Sequence, residues 1–466
     1  MTFQVYSDKL LNIIIKGIKL KEIKFIDLFA GMGGIRLGFE QAFNQADFKT
    51  RCILTSEIKP SAIEALRQNF EHKEFATDVT RININDLEDF DFLLAGFPCQ
   101  AFSSAGNRDG FCDTRGTLFF EVEKILKEKR PYGFILENVE GLVKHDLKNK
   151  NDKIGQTLET IIKSLEFLEY KVNWKVLDSQ DFGLAQSRKR IYITGTLNNK
   201  IELDKFNFFP KINFKDIQES NKDTMDTDFT KKLLSHLPIN QLYGKAIKDK
   251  RGGSSNIHSW DFGLKGEISE IQRLLLTTLL KERRKKHWAE KIGIDWMDGM
   301  PLTLEQIKTF FKDDNLENNL NDLVKKGYIR FEHPKAKVNK ITPEGNSVSR
   351  REHDTTKPKG YNIVSGKLSF EFSKILDPND ITPTLVASDV EKLGVIDGQG
   401  IRKLSLKEGL RLFGYPEDYS LDIFNKNISS RRKGFDLLGN TVAVPVIHEI
   451  SKKLVASYVS TLPVAV

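Results

Sequence analysis

The sequence predicts an α/β fold over its first 195 residues, a parallel sheet with helices on both faces, followed by a region of different character. Three observations carry this reading. Short β-rich runs alternate with amphipathic segments from residue 23 to about 195; that alternation stops near residue 196; and residues 241–360 hold 24 basic against 17 acidic side chains, whereas 1–195 hold 28 of each. Alternating strands and helices are the signature of a layered α/β sheet, and the shift in composition marks a domain boundary.

The strand candidates, in order, are Ile23–Phe29, Arg51–Ser56, Phe90–Ala95, Tyr132–Leu136, Lys171–Leu177 and Arg190–Gly195, with helices over Lys59–Asn69 and Thr117–Lys129. The last two strands are joined by Asp178–Lys189, which has no helical periodicity. A parallel crossover usually needs a helix, so this pair is predicted to be an antiparallel hairpin at the sheet edge. Near the C-terminus, apolar residues at 442, 446, 447, 450, 454 and 458 predict a helix with one buried stripe. In the middle region Ser269-Glu270-Ile271-Gln272 reads as a capping box opening a helix through Lys286. Helical segments Leu304–Phe311 and Leu316–Lys326 follow, then β-like pieces at Tyr328–Glu332 and Val338–Ile341, the order of a winged-helix module at 268–345.

Composition sets outer bounds. With 466 residues, 39% hydrophobic and 29% charged, the chain is no disordered tail and has material for two or three domains. A net charge of +8 makes a polyanionic partner plausible. Its three cysteines, Cys52, Cys99 and Cys112, form no CxxC pair and no zinc-spaced cluster, so neither a disulfide framework nor a bound metal is expected. The N-terminal run Leu10–Ile18 is interrupted by Asn12 and Lys16 and lacks a cleavage site, and no segment reaches about 18 apolar residues, so a cytoplasmic protein without membrane contact is expected.

Several residues suit chemistry at the carboxyl edge of such a sheet. The first strand runs into Asp27-Leu28-Phe29-Ala30-Gly31-Met32-Gly33-Gly34, a glycine turn that either serves only to reverse the chain or lets a cofactor approach the main chain. The dinucleotide fingerprint would need glycine where Arg36 stands, which disfavours a nicotinamide cofactor. Glu57 and Asp78 each follow a strand, as ribose or base ligands or as helix caps. Cys99 lies in Gly96-Phe97-Pro98-Cys99-Gln100, just past a strand's carboxyl end, whereas Cys52 sits inside an apolar strand like a small buried hydrophobe. Glu137-Asn138-Val139 brings a carboxyl to the same edge. Gln186-Ser187-Arg188-Lys189-Arg190 reaches it too if its strand is antiparallel, the alternative for the arginines being a solvated charge run.

These motifs, in this order and together with Arg115-Gly116-Thr117-Leu118-Phe119, Thr382-Pro383-Thr384-Leu385, Arg402 through Tyr419 and Gly439-Asn440-Thr441-Val442, resemble those of the C5-cytosine DNA methyltransferases of bacterial restriction–modification systems. The resemblance covers about 21–195 and 380–455. It implies a Rossmann-like S-adenosylmethionine-dependent methyltransferase domain at 1–195, a smaller target-recognition domain at 196–435 facing a DNA cleft, and a C-terminal helix at 436–466 completing the catalytic domain. The implied reaction moves a methyl group from S-adenosylmethionine to C5 of a flipped-out cytosine in a specific duplex DNA sequence, through a covalent adduct with Cys99.

The implied roles follow residue by residue. Cys99 is the nucleophile, Glu137 the partner of the ring N3 and N4, and Arg190, with Arg188 near it, the partner of O2 and the adjoining backbone. Asp27, Phe29, Gly31, Met32 and Gly34 face the methionine and adenosine parts of the cofactor. Glu57 takes the ribose with Ile58 beside it, Asp78 takes the adenine amine with Val79 beside it, and Pro98, Leu118, Asn440 and Val442 line the pocket. Two positions depart from the usual pattern: Ile58 stands where an aromatic is common and Thr77 where glycine is common, which bears on how adenine is stacked. A free thiol of pKa ~8.5 is only about 3% ionised at pH 7, so forming the thiolate supplies at most ~2 kcal/mol. The larger contribution must come from groups that polarise the ring.

A target cytosine must be flipped from the duplex to reach such a site. The loop Ser103–Gly110 is expected to close behind it. The resemblance further implies a monomer that protects host DNA beside a cognate restriction endonuclease. Within the recognition region, Lys325, Lys326, Arg330, Lys335 and Lys337 are expected at the DNA, and the run Arg283, Arg284, Lys285 and Lys286 is expected to set salt dependence. Two alternatives stay open: a tRNA cytosine-5 methyltransferase, disfavoured by the long basic insert, and a catalytically silent DNA-binding regulator, disfavoured by the intact Cys, Glu and Arg set.

Overall fold

The computed structural model describes residues 22–72, 74–76, 78–98, 118–149, 151–207, 209–250, 256–295, 299–341, 347–364 and 370–462. Two compact units emerge: residues 1–218, 378–390 and 405–466 form the first, and 219–377 with 391–404 form the second. Among the described residues no helix is long and apolar enough to cross a membrane.

The first unit is built on a seven-stranded sheet: β1 (Glu22–Leu28), β2 (Lys49–Ser56), β3 (Phe75–Ala76), β4 (Phe92–Gly96), β5 (Gly133–Val139), β6 (Lys171–Asp178) and β7 (Lys189–Thr196), in the order β3-β2-β1-β4-β5-β7-β6. Strands β1 to β5 are parallel, and β7 runs antiparallel to both β5 and β6. The β6–β7 link contains only a short 3-10 turn, Ser179–Phe182, as its missing helical periodicity predicts. Central strands carry near-continuous apolar runs because both faces are covered. Ile26, Phe92, Leu93, Leu94, Phe134 and Ile135 are fully buried.

Helices α1 (Gly34–Gln45), α2 (Pro60–Asn69), α3 (Leu118–Lys129) and α4 (Gln156–Phe167) connect these strands. One core layer gathers Val122 and Ile125 of α3 with Leu158, Ile161 and Leu165 of α4. The other gathers Phe39 and Phe43 of α1 with Val446, Ile447, Ile450 and Leu454 of the C-terminal helix Val444–Val459, and all six predicted stripe positions are buried. Gly38 makes this helix pair possible: a Cβ there would lie 2.7 Å from the Val444 carbonyl oxygen and 2.8 Å from Ile447 Cβ.

The second unit has two cores. One surrounds a five-stranded sheet made of Ala246–Ile247, Asn256–Ile257, Lys374–Ile375, Leu393–Asp397 and Gly400–Lys403. The other is mainly helical, joining Leu275, Leu276 and Leu279 to Leu320, Leu323, Tyr328 and Ile363. The capping box at Ser269 and Gln272 is formed, but the helix it opens ends at Glu282, and a separate helix spans His287–Ile292. Arg283 lies at the break, 3% exposed, donating to the Ile363 carbonyl (3.2 Å) and to Asn362 Oδ1. It is therefore a structural residue rather than the DNA contact expected of its charge run. Helices Leu304–Lys308 and Leu316–Lys326 follow, and Leu302 bridges antiparallel to Tyr361. The strand pairing also differs from the expected wing. Ile329–Glu332 pairs with Gly360–Ile363, while Lys335–Ile341 pairs with Ser347–His353.

Segments 196–218, 378–390 and 405–435, assigned by sequence to the recognition region, belong to the first unit. Two fully or nearly buried polar side chains tie in the last two. Gln186 donates from Nε2 to the Leu412 carbonyl (2.9 Å) and accepts from Leu385 N–H (3.0 Å). Arg188, 3% exposed, donates to the carbonyls of Leu385 (2.9 Å), Gly439 (3.2 Å) and Thr441 (2.7 Å), with its guanidinium 5.1 Å from the Phe413 ring centre. Removing one partner from a buried charge-assisted network strands the others without hydrogen bonds. Arg188→Met is accordingly expected to destabilise the first unit by about 3 kcal/mol or more. Lys189→Met, at the exposed position beside it, should cost much less; denaturant titration of the two variants makes the comparison.

Candidate active site

After β1 the chain reverses through Phe29, Gly31 and Gly33, all with positive φ (54°, 57° and 76°), and enters α1. Glu57 pins this turn. Its Oε2 accepts from Gly31 N–H and its Oε1 from Lys59 N–H, both at 2.8 Å, joining the loop to the start of α2. Gly33 is crowded, since a Cβ there would lie 2.4 Å from the Phe70 ring, whereas a Cβ on Gly31 would meet nothing within 4 Å. The loop is thus firmly backed at one glycine and open at the other. Met32 is buried and its carbonyl accepts from Tyr419 Oη (2.6 Å). Gly34 packs beneath Tyr415, Val442 and Thr441.

Below the loop Asp27 is fully buried, and neither carboxyl oxygen has a hydrogen-bond partner. Burial pushes its pKa up to about 8, against the pull of Arg36. Arg36 stands where a dinucleotide fold has glycine. It is held by Glu40 (2.9 Å) and the Glu71 carbonyl (3.2 Å) and lies 4.5 Å from the Phe70 ring centre. The sequence reading gave Arg36 no role beyond excluding a motif, although Glu40 four residues on is a signal for such a pair.

The other residues implied at a cofactor differ in surroundings. Asp78 caps the turn Val79–Arg81: its Oδ1 accepts from Thr80 N–H (3.0 Å) and Thr80 Oγ1 (2.8 Å), which lowers its pKa. Val79 is buried and Ile58 is 72% exposed. Pro98 and Leu118 are half-buried, and Asn440 is exposed, donating to the Asp436 carbonyl (2.7 Å). An open glycine turn, a carboxylate holding it and a buried carboxyl without a hydrogen-bond partner suit a cationic amino-acid nucleoside. On those grounds the residues fit S-adenosylmethionine.

A second cluster lies one strand over. In the parallel register Gly96 of β4 stands opposite Glu137 of β5, and Val139 opposite Arg190 of β7. Arg190 Nε lies 3.2 Å from Glu137 Oε1 with both side chains mostly buried. Burial raises the Glu137 pKa, and Arg190 and then Arg188 only partly offset it. Asn138 Nδ2 donates to the Phe97 carbonyl (3.3 Å), tying β5 to the segment that leads to Cys99. Cys99 itself, with Arg115, Thr77, Cys112 and the loop 103–110, lies outside the described residues. Cys52 is buried, with its thiol pKa pushed up to about 12 by desolvation, and has the inert character expected of it. Arg188 departs from expectation, because its guanidinium is occupied by main-chain carbonyls, a clamp beside the cluster rather than a group presented to a substrate.

Known proteins agree with this architecture. The family model for C-5 cytosine-specific DNA methylase matches residues 23–456. The chain is 57% identical to the type II methyltransferase M.NlaIV of Neisseria lactamica over 93% of this chain and 99% of that one. It is 39% identical to M.BanI of Aneurinibacillus aneurinilyticus over 95% and 97% of the two chains. Among solved structures, a candidate DNA modification methyltransferase encoded within a prophage (E. coli) shares the fold with TM-score 0.50 and 18% identity, covering 93% of this chain and 99% of that one. The glycine turn, the buried Asp27 and the Glu137–Arg190 pair therefore sit in a Rossmann-like enzyme, and the chain belongs to the C-5 cytosine-specific DNA methylases.

Proposed function

We propose that this DNA cytosine-5-methyltransferase acts on a flipped-out cytosine in a specific duplex sequence through a covalent Cys99 adduct, and that it protects DNA from a cognate restriction endonuclease. The observation that carries the mechanism is Glu137: a carboxyl pushed toward its neutral form, 3.2 Å from Arg190, on the strand beside the one that leads to Cys99. The relatives' designation as type II methyltransferases supports the pairing with an endonuclease.

C5 of cytosine is a weak carbon nucleophile until something adds at C6. The Cys99 thiolate forms an S–C6 bond, and the electron pair released toward N3 is met by the Glu137 proton, giving an enamine at C5. Arg190 holds O2 and the adjoining backbone, so charge developing on the ring meets groups already oriented for it. S-adenosylmethionine, held by Phe29, Gly31, Gly34 and Glu57, supplies the electrophilic methyl. A base then removes the C5 proton, the C6–S bond breaks and Cys99 leaves as thiolate.

Three expected outcomes follow from this scheme. Cys99→Ser should abolish transfer while leaving DNA binding in place. On DNA carrying 5-fluorocytosine, which has no C5 proton to lose, the wild-type chain should stall as a cross-link visible on a denaturing gel; absence of the cross-link would refute the adduct. Glu137→Gln should lower kcat by about 10²–10⁴, and wild-type kcat should fall as rising pH deprotonates Glu137, a limb the variant lacks. Asp27 bears on stability: its pKa rises from 3.8 unfolded to about 8 folded, so its contribution is complete below about pH 4 and lost as pH climbs toward 8. Melting curves of the cofactor-free chain should show this decline, and Asp27→Asn should flatten it.

A further inference from the structure

The second unit carries an element whose construction has no structural explanation. Lys335–Ile341 and Ser347–His353 form a two-stranded ribbon of seven cross-strand pairs, from Lys335 opposite His353 to Ile341 opposite Ser347, and it joins no other described sheet. Isolated two-stranded ribbons are marginal in water unless one face finds a core. Here Lys337, Val338 and residues 350–353 are exposed, so both faces meet solvent at the end nearest the body.

That end is nevertheless firmly held. The ribbon is inserted between Ile329–Glu332 and Gly360–Ile363, which pair with each other and bury Ile329, Tyr361 and Ile363 in the helical core. Asp354 N–H donates to the Pro334 carbonyl (2.8 Å), and His333 Nδ1 lies 2.7 Å from the Lys357 carbonyl, closing its base.

Its charges are arranged against its own stability. Side chains alternate between the faces of a strand, so the opposed pairs Lys335/His353 and Lys337/Arg351 share one face. Lys337 and Arg351 put like charges directly opposite each other, which destabilises a ribbon, although Arg351 Nη1 also donates to the Lys335 carbonyl (3.3 Å). Glu352 falls on the other face, opposite Ala336. Asp295 lies 3.8 Å from Lys337 with both side chains largely exposed, a pair worth little in water. Residues 333–359 hold seven Lys and Arg against three Asp and Glu.

The helix Leu316–Lys326, which a winged-helix reading would send to DNA, is the weaker candidate. Its exposed surface presents Glu317, Asn318, Asn321 and Lys325, preceded by exposed Asp314, and Lys326 is tied to Asp322 (2.6 Å). Acids at the leading end of a helix would meet phosphates unfavourably.

We propose that the paired strands Lys335–Ile341 and Ser347–His353, rather than the helix Leu316–Lys326, enter the major groove of the target duplex, with the Lys335, Lys337, Arg351 and His353 face toward the DNA. Seven residues at a strand's rise span about 24 Å, and a two-stranded ribbon fits a groove about 12 Å wide. This proposal rests on the DNA-methyltransferase reading above and adds the element that contacts the sequence. The test is the triple substitution Lys335→Gln, Lys337→Gln, Arg351→Gln, with S-adenosylmethionine binding and melting temperature as checks on folding. Fluorescence anisotropy across a salt series should show the slope of log K against log salt reduced by about 3, and affinity near 0.15 M salt lowered on the order of a hundredfold. Wild-type protection of guanine N7 atoms, which line the major groove, from dimethyl sulfate should disappear in the variant. The charge-conserving pair Lys337→Arg, Arg351→Lys should keep the wild-type salt slope. An unchanged slope and unchanged protection in the triple variant, with wild-type DNA methylation intact, would overturn the ribbon assignment alone. Failure of the wild type to methylate DNA would overturn the reading beneath it.

Discussion

The first unit depends on a few hydrogen bonds donated inward from the start of β7. Arg188 gives its guanidinium to main-chain carbonyls at Leu385, Gly439 and Thr441, and Gln186 donates to the Leu412 carbonyl while accepting from Leu385 N–H. Those acceptors lie about 200 to 250 residues further along the chain, on the far side of the second unit. An arginine suits this task because its planar fork supplies several donors in fixed directions and never loses its charge. The same strand places Arg190 beside Glu137, two residues on, so the fold's clamp and the charge pair of the candidate site are consecutive outputs of one strand alternation.

The remainder of the site follows from the parallel sheet. The carboxyl ends of β1, β2 and β4 lie along one edge of the parallel sheet, which is where open α/β sheets hold ligands. Glu57 uses both carboxylate oxygens to fix the glycine turn before any ligand arrives. Asp27 and Glu137 are both buried acids with raised pKa, but they differ in company: Asp27 has no hydrogen-bond partner, whereas Glu137 has a guanidinium alongside. Burial pushes both toward the form that holds a proton, and Arg190 partly opposes this at Glu137.

Much of this was legible in the residues. The strands were readable because buried parallel strands are continuous apolar runs, the β6–β7 hairpin because its link has no helical period, and the C-terminal helix because its stripe keeps a single face. What the sequence concealed depends on distant partners. Arg188 and Arg283 look like solvated or catalytic charges until the carbonyls that surround them are known, since nothing local distinguishes a buried arginine from an exposed one. The strand Ile329–Glu332 could not be matched to Gly360–Ile363 from pattern alone, because the inserted ribbon offers a nearer partner. Segment 405–435 holds the helix Leu406–Leu412 and the start of Ile428–Asn440, and its place in the first unit rests on distant contacts such as Gln186 Nε2 to the Leu412 carbonyl.

The clamp also imposes an order in time. Arg188 emerges from the ribosome with its strand, but Thr441 follows 253 residues later, a delay of about 13–50 s at ordinary synthesis rates. Until then the nascent sheet carries a cation without its full set of carbonyls, and the apolar face of α1 awaits the C-terminal helix. A truncated or stalled chain therefore cannot complete the crevice, however well its first 200 residues are made. Completion of the first unit is thus deferred to the last residues made, since both the final carbonyl of the clamp and the helix that covers α1 lie there.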